Sequence, residues 1–270
     1  MLRRIDMLAS GNGLRTLPPE HRLAFAAALF LLGYVAPVGV QLLMVAWILR
    51  WLTVHARIQL DVCLRLLLLP LGFILLSLVA LIVGISGAAP AGGLPADALQ
   101  PLAIGPLLLF ISRQGLDQAA LVLPRAMALS SALLLVLLTV PMVEITRVLG
   151  RCGCPELLTE LMGLMHRFVF VLADTAAVMI TAQQSRLGYS SWRSSMRSLS
   201  VLVAQLLQRS LQSYRQLVLG LTARGYTGTI RLWHRRRYRP SPRHRNEALA
   251  GLLLLGLLTA LHHLGPAATP

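Results

Sequence analysis

The chain has 270 residues, 56% of them hydrophobic and only 13% charged, with a formal net charge of +15 and a mean hydropathy of +0.69. So few charged groups among such long apolar runs exclude an ordinary soluble globular domain and imply an integral membrane protein. All 25 basic residues are arginine, so a P-loop lysine, a Schiff-base lysine and a lysine general base are excluded as well.

A bilayer core takes roughly 20 residues of apolar helix. On that measure spans are predicted at 22–36, 38–55, 66–86, 126–146 and 247–264, the first two separated by Pro37. The N-terminal arginines Arg3, Arg4, Arg15 and Arg22 and the loop carrying Arg50, His55, Arg57 and Arg65 belong on the cytoplasmic side by their charge. Residues 87–114, around SGAAPAGGLPAD, are rich in Gly, Pro and Ala and almost uncharged, as an outside loop should be. Within them PLAIGPLLLF, at 101–110, is open to reading as a re-entrant or sixth segment, so the fold class is an all-α polytopic membrane protein of five or six spans. The first apolar run begins after Arg22 with no small-residue cleavage site after it, and no cleavable signal is expected.

Between Asp174 and Glu247 lie 13 arginines and no acid, whereas the rest of the chain has 12 arginines against 10 acids. Residues 175–246 are therefore expected in the cytoplasm. This divides the chain into a membrane domain at 1–146, a cytoplasmic domain at 147–246, and a last span with the C-terminus at 247–270. Ser191–Ala223 contains no proline and one glycine, enough for a single helix of roughly 50 Å at about 1.5 Å per residue. Leu199, Leu202, Val203, Leu206 and Leu207, then Tyr214, Leu217, Val218 and Leu221, recur at three- and four-residue spacing, with Arg193, Arg197, Gln208, Gln212 and Arg215 mostly opposite. That is an amphipathic helix. A second helix is predicted from Pro155 to about Ser185, with Glu156 and Glu160 in its first turns, where the helix dipole favours acids.

Each of these helices ends in a related motif, SRLGY at 185–189 and ARGY at 223–226. The glycine in each stands where a left-handed residue closes a helix, and the arginine at a helix end projects a planar fork able to hold a carboxylate in two parallel bonds. Ordinary C-capping explains one such motif; two copies with a small residue before and Gly-Tyr after favour a shared role.

The runs AQQSRLGYSSWRSSMRSL at 182–199 and RSLQSYRQLVLGLTARGYTG at 209–228 closely resemble the transmembrane T component of energy-coupling-factor transporters, in particular its cobalt-type CbiQ branch. HRFVFVLAD at 166–174 and LTVPMVEITRVLGRCGCPELL at 138–158 resemble the same family. The resemblance implies a non-catalytic subunit of an ATP-driven importer for cobalt or nickel in a bacterial cell membrane. Its two motifs, Ser185, Arg186 and Gly188, and Ala223, Arg224 and Gly225, would dock on two ATP-binding cassette subunits. The remainder would hold a substrate-binding membrane subunit. ATP would be hydrolysed by the partners, with no cofactor bound here. Ser185 and the interposed Leu187 depart from the plain Ala-Arg-Gly pattern.

Other features carry weaker expectations. Cys152 and Cys154 flank a glycine without further metal ligands at workable spacing, which favours a turn with reduced thiols; Cys63 reads as a small buried residue. His262 and His263 fall at the outer end of the last span, where an interfacial position is favoured over metal ligation. RLWHRRRYRP at 231–240 suits anionic lipid headgroups better than nucleic acid. Asp174 is expected to pair with an arginine rather than act in catalysis, having no second carboxylate at helical spacing. A shared T component for vitamin-binding subunits is the near alternative. An intramembrane enzyme acting on a lipid phosphate and a simple membrane anchor with a basic arm are the remote ones.

Overall fold

The computed structural model describes residues 2–87, 98–104, 107–226, 238 and 241–264. Their elements run α1 (Leu2–Gly11), α2 (Pro19–Val35), α3 (Val38–Arg50), a π-helical turn (Trp51–His55), α4 (Leu60–Ile82), β1 (Val83–Gly87), β2 (Ala98–Ile104), β3 (Leu107–Ser112), α5 (Arg113–Thr139), α6 (Met142–Arg151), α7 (Glu156–Gln184), α8 (Trp192–Thr222) and α9 (Pro242–Leu264). They divide into two compact units, residues 1–141 with 237–270, and residues 142–236.

The first unit is built around α5, which packs against α1, α2, α3 and α4, while α9 packs against α2 and α3. Its core is drawn from Leu29, Met44, Ile48, Leu52, Cys63 and Leu138, all buried. The outward faces of α4 and α9 expose Leu69, Phe73 and Leu76, and Leu253, Leu254 and Leu257, the apolar belt that lipid requires of a spanning helix. Pro37 forces Ala36 into an extended conformation (ψ 146°). The buried Gln41 amide then donates to the carbonyls of Gly33 at 3.2 Å and Ala36 at 2.8 Å, two groups the proline break leaves without helical donors. Gly251 is required where α9 crosses α3, because a Cβ there would lie 2.5 Å from the Trp47 ring.

The end of α5 is closed from a distance. Pro141 supplies no N–H, and Val140 is already extended. The carbonyls of Leu138 and Thr139 instead accept hydrogen bonds from the buried Asn12 Nδ2, at 3.1 and 3.0 Å, and Thr139 also accepts from Arg22 Nη1. At the neighbouring end of α3, His55 Nε2 lies 2.7 Å from Glu247 Oε2, and Arg243 Nε donates to Glu247 Oε1 at 3.2 Å. The His55 ring stacks on Trp51 with centroids 4.3 Å apart.

Five helices among the described residues are long and apolar enough to cross a membrane: Val38–His55, Leu60–Ile82, Arg113–Thr139, Glu156–Gln184 and Pro242–Leu264. Four of them overlap predicted spans. α4 stops four residues before the predicted limit at 86, because the chain passes into β1, and α5 begins well before 126 and breaks at Pro141 rather than continuing to 146. The segment predicted as a span at 22–36 is the 17-residue α2. α7, expected as a cytoplasmic helix, is itself 29 residues long and apolar by composition.

The described residues of 101–110 form neither a sixth helix nor a helical re-entrant segment. β3 pairs antiparallel with both β1 and β2 in the order β1-β3-β2, with Val83 opposite Ile111 and Leu102 opposite Leu109. Pro101 sits in edge strand β2, beside a register irregularity between Ala98 and Pro101, where its missing donor is tolerated. Most of SGAAPAGGLPAD lies outside the described residues.

Candidate functional site

The two arginine motifs lie in the second unit at opposite ends of α8. At the end of α7 the Gly188 N–H donates to the Gln183 carbonyl at 2.8 Å and the Leu187 N–H to the Gln184 carbonyl at 3.0 Å. At the end of α8 the Tyr226 N–H donates to the Leu221 carbonyl and the Gly225 N–H to the Thr222 carbonyl, both at 3.0 Å. Each is the Schellman closure, one bond spanning five residues around a second spanning three. Ser185 and Ala223 even share their torsions, φ −63°, ψ −20° and φ −62°, ψ −20°. The hydrogen bonds therefore align Ser185 with Ala223, Arg186 with Arg224 and Leu187 with Gly225.

This corrects the expected role of one glycine. Gly225 takes the left-handed position, with φ +73°, but at the first motif that position is held by Leu187, with φ +57°. Gly188 is needed for closeness instead: a Cβ there would lie 2.7 Å from Ser198 Oγ and 2.9 Å from the Gln183 carbonyl. Leu187 is 75% exposed, so packing does not offset its backbone strain, about 1–2 kcal/mol for an L-residue. Leu187→Gly is expected to stabilise the unit by about 0.5–1 kcal/mol, the strain relieved less the chain entropy that glycine adds. The check is a higher melting temperature of the purified protein; an unchanged or lower one would show that the left-handed leucine carries no strain.

The first motif is braced by residues that the motif pattern does not include. The Gly188 carbonyl accepts from both Ser194 Oγ at 2.9 Å and Ser198 Oγ at 2.8 Å. Gln183 Nε2 donates to the Ser198 carbonyl at 3.0 Å, and Tyr189 donates its hydroxyl to Gln183 Oε1 at 2.8 Å. Ser191 caps α8 by accepting from the Ser194 N–H. Together these bonds hold α7 and α8 as a hairpin whose tip presents Arg186 and the 79% exposed Trp192. The signal available in sequence was the serine run SSWRSSMRS at 190–198, dense in short hydroxyls that bond local carbonyls. The described part of the second motif has no such brace and ends at Tyr226.

Arg186, Arg193, Arg197, Arg209, Arg215 and Arg224 are all exposed. Among the described residues none of them makes a side-chain hydrogen bond or ion pair. The 31 residues of α8 separate the two closures by roughly 46 Å at about 1.5 Å per residue. Only Leu202 is buried in α8 and nothing is buried in α7. Val203, Leu207, Tyr214 and Val218 are exposed, as are Leu161, Met165 and Val169 of α7. The arrangement offers two directed cations at fixed separation and long apolar surfaces between them.

The other sequence candidates stay apart from these ends. Cys152 is exposed and Cys154 half-buried, both free thiols beside Gly153 at φ +93°; Cys63 is a buried core residue. His262 and His263 lie exposed at the end of α9, with His263 Nε2 3.3 Å from the Val35 carbonyl. Among the described residues no three His, Cys, Asp or Glu side chains group as metal ligands. Asp174 has a polar or electrostatic partner, and all of RLWHRRRYRP but Tyr238 lies outside the described residues.

Residues 10–234 match the protein family CbiQ, described as cobalt transport protein. The chain is 30% identical over 231 residues to the cobalt transport protein CbiQ of Salmonella typhimurium, covering 84% of this chain and 99% of that one. It is 31% identical over 230 residues to CbiQ of Rhodobacter capsulatus, covering 84% of this chain and 86% of that one. It is also 27% identical over 229 residues to a putative fused cobalt transport protein CbiMQ of Methanocorpusculum labreanum, covering 84% of this chain and 37% of that one.

Proposed function

This chain belongs to the CbiQ family of cobalt transport proteins and is a multi-pass membrane component of such a system; from that premise we propose that it is the coupling subunit of an ATP-driven cobalt importer. Arg186 and Arg224 each bind an acidic groove on one of two ATP-binding cassette subunits. Closure of that pair on ATP moves the two ends of α8. The apolar faces of α7 and α8 pass the movement to a substrate-binding membrane subunit that selects cobalt. The partners carry out the ATP chemistry, and this subunit catalyses nothing.

The observation that carries the proposal is the matching closure of α7 and of α8, with a guanidinium at the same position of each that makes no side-chain hydrogen bond or ion pair among the described residues. A plain membrane anchor needs no such equivalence. The run from 175 to 246 holds 13 arginines, which supports a cytoplasmic position for the coupling helices, and it contains no acid, which disfavours a phosphate-lipid hydrolase. For α7 length alone does not decide. Its middle carries His166, Arg167 and Asp174, and a charge at a bilayer centre costs about 2.5–3.5 kcal/mol or more, so an interfacial, partner-covered course is the reading adopted. The fused relative, of which this chain matches 37%, supports a further transport polypeptide acting with the part that this chain matches.

The test is a mild-detergent pull-down of the tagged protein from its own cells, with partners identified by mass spectrometry. It compares wild type, the Arg186→Ala/Arg224→Ala double variant and Arg236→Ala. Recovery of an ATP-binding subunit lost only in the double variant is the expected outcome, and the co-purifying membrane subunit distinguishes a cobalt system from a vitamin system. Equal recovery in all three would reduce both motifs to helix caps.

A further inference from the structure

A cavity of about 540 Å³ opens in the first unit between the first turns of α2 and α9 and the loop after α1, within the roughly 300–1,000 Å³ of small-ligand sites. Its body is apolar, walled by Leu17, Phe25, Trp51, Ala248, Leu249 and Leu252. Its polar rim is basic: His21 from α2, and His244 and Arg245 from α9. Arg22 also lines it but is committed to the Thr139 carbonyl. Neither Glu20 nor Glu247 lines the cavity, and Glu247 is held by His55 and Arg243.

The two helices are parallel here, since their first turns share the cavity while His263 near the end of α9 meets the Val35 carbonyl at the end of α2. Both positive dipole ends therefore face the basic rim. This is the end of the unit that also carries Arg15, Arg50, Arg57, Arg243 and Arg245, the charge signature of a leaflet facing anionic headgroups. A basic mouth over a greasy well matches one molecule with a phosphate at one end and an acyl chain at the other. A free anion would leave the apolar walls unfilled, and a zwitterionic lipid would bring its own quaternary cation to a rim that already carries His21, His244 and Arg245. We propose that this cavity is a binding site for one anionic phospholipid, its phosphate at His244 and Arg245 and an acyl chain against Phe25, Trp51 and Leu252. It is independent of the coupling role assigned to α7 and α8.

The test uses the full chain in detergent with phosphatidylglycerol or phosphatidylcholine of the same acyl chains, and counts retained lipid by native mass spectrometry. Wild type is expected to keep one phosphatidylglycerol in preference to phosphatidylcholine by about fivefold or more, the scale of one basic contact near a headgroup. His244→Gln/Arg245→Gln should bring the ratio near one. Ala24→Trp, at an exposed position lining the cavity, should fill the well and release both lipids while leaving the melting temperature in lipid-free detergent unchanged. Arg57→Gln, outside the cavity, should change nothing. Equal retention of the two lipids by wild type, retention unaffected by Ala24→Trp, or a loss as large with Arg57→Gln would overturn the assignment. So would inorganic phosphate alone raising the melting temperature as much as phosphatidylglycerol does.

Discussion

Uptake of radiolabelled cobalt by cells carrying the Arg186→Ala/Arg224→Ala variant should fall by roughly 30-fold or more, with the protein still present in the membrane. An arginine that anchors a carboxylate in a desolvated groove is worth about 2–5 kcal/mol to the contact, and each 1.4 kcal/mol is about a tenfold change in affinity. Each single variant should show a large part of the loss. On the proposed role each arginine grips a different ATP-binding subunit, and a coupling subunit held at one end alone would transmit no relative movement. Lysine in place of either arginine should restore little, because a point charge lacks the planar fork. The contrast is with Arg197→Ala and Arg209→Ala, which remove equally exposed charges from the body of α8 and should leave uptake within about twofold, as rim charges do. Uniform losses across all four positions would point to bulk charge and sink the directed-docking idea.

The second large effect is on stability. Asn12→Leu should destabilise the first unit by about 2–4 kcal/mol, since the Leu138 carbonyl loses its donor and that of Thr139 keeps only Arg22, at about 1–3 kcal/mol per buried group left unsatisfied. Against a total of about 5–15 kcal/mol that is a substantial fraction, and at about 2–4 °C per kcal/mol for a chain of this order it should lower the melting temperature in detergent by roughly 5–15 °C. Asn12→Asp should be worse, because it keeps the shape and puts a carboxylate oxygen in place of the amide nitrogen that faces both carbonyls. A drop under about 2 °C for both would mean that solvent reaches the end of α5.

How much of this was legible varies with the range of the forces involved. α7 and α8 came out of the sequence nearly to the residue, because their periodicity, their acidic start and their closing motifs are all local. The end of α5 was misjudged at 146 because apolar composition continues past Pro141, whose missing donor acts at one point while hydropathy averages over many. The strands at 98–104 and 107–112 were hidden by the same averaging, PLAIGPLLLF being as apolar as a helix. Asn12's long-range role was invisible: besides the nearby Ala9 carbonyl its partners are 126 and 127 residues away, and nothing in GNG announces a distant helix end. Glu247 left a trace, as the first acid after the long basic run, but its partner His55 is 192 residues away. At the ends of α7 and α8, the helix closures at Ser185–Arg186 and Ala223–Arg224 could be read directly. The left-handed Leu187 could not, because leucine seldom adopts that conformation and the eye goes to the glycine beside it.

Because α8 runs unbroken between its two closures, its residue count fixes an angle as well as a distance. Each residue added or removed between Ser194 and Leu219 turns Arg224 about 100° around the helix axis relative to Arg186 and slides it about 1.5 Å. The two arginines are thus phased like cams on one shaft. On the proposed coupling role, a variant of α8 that changes its length is expected to lose uptake even when both arginines are kept.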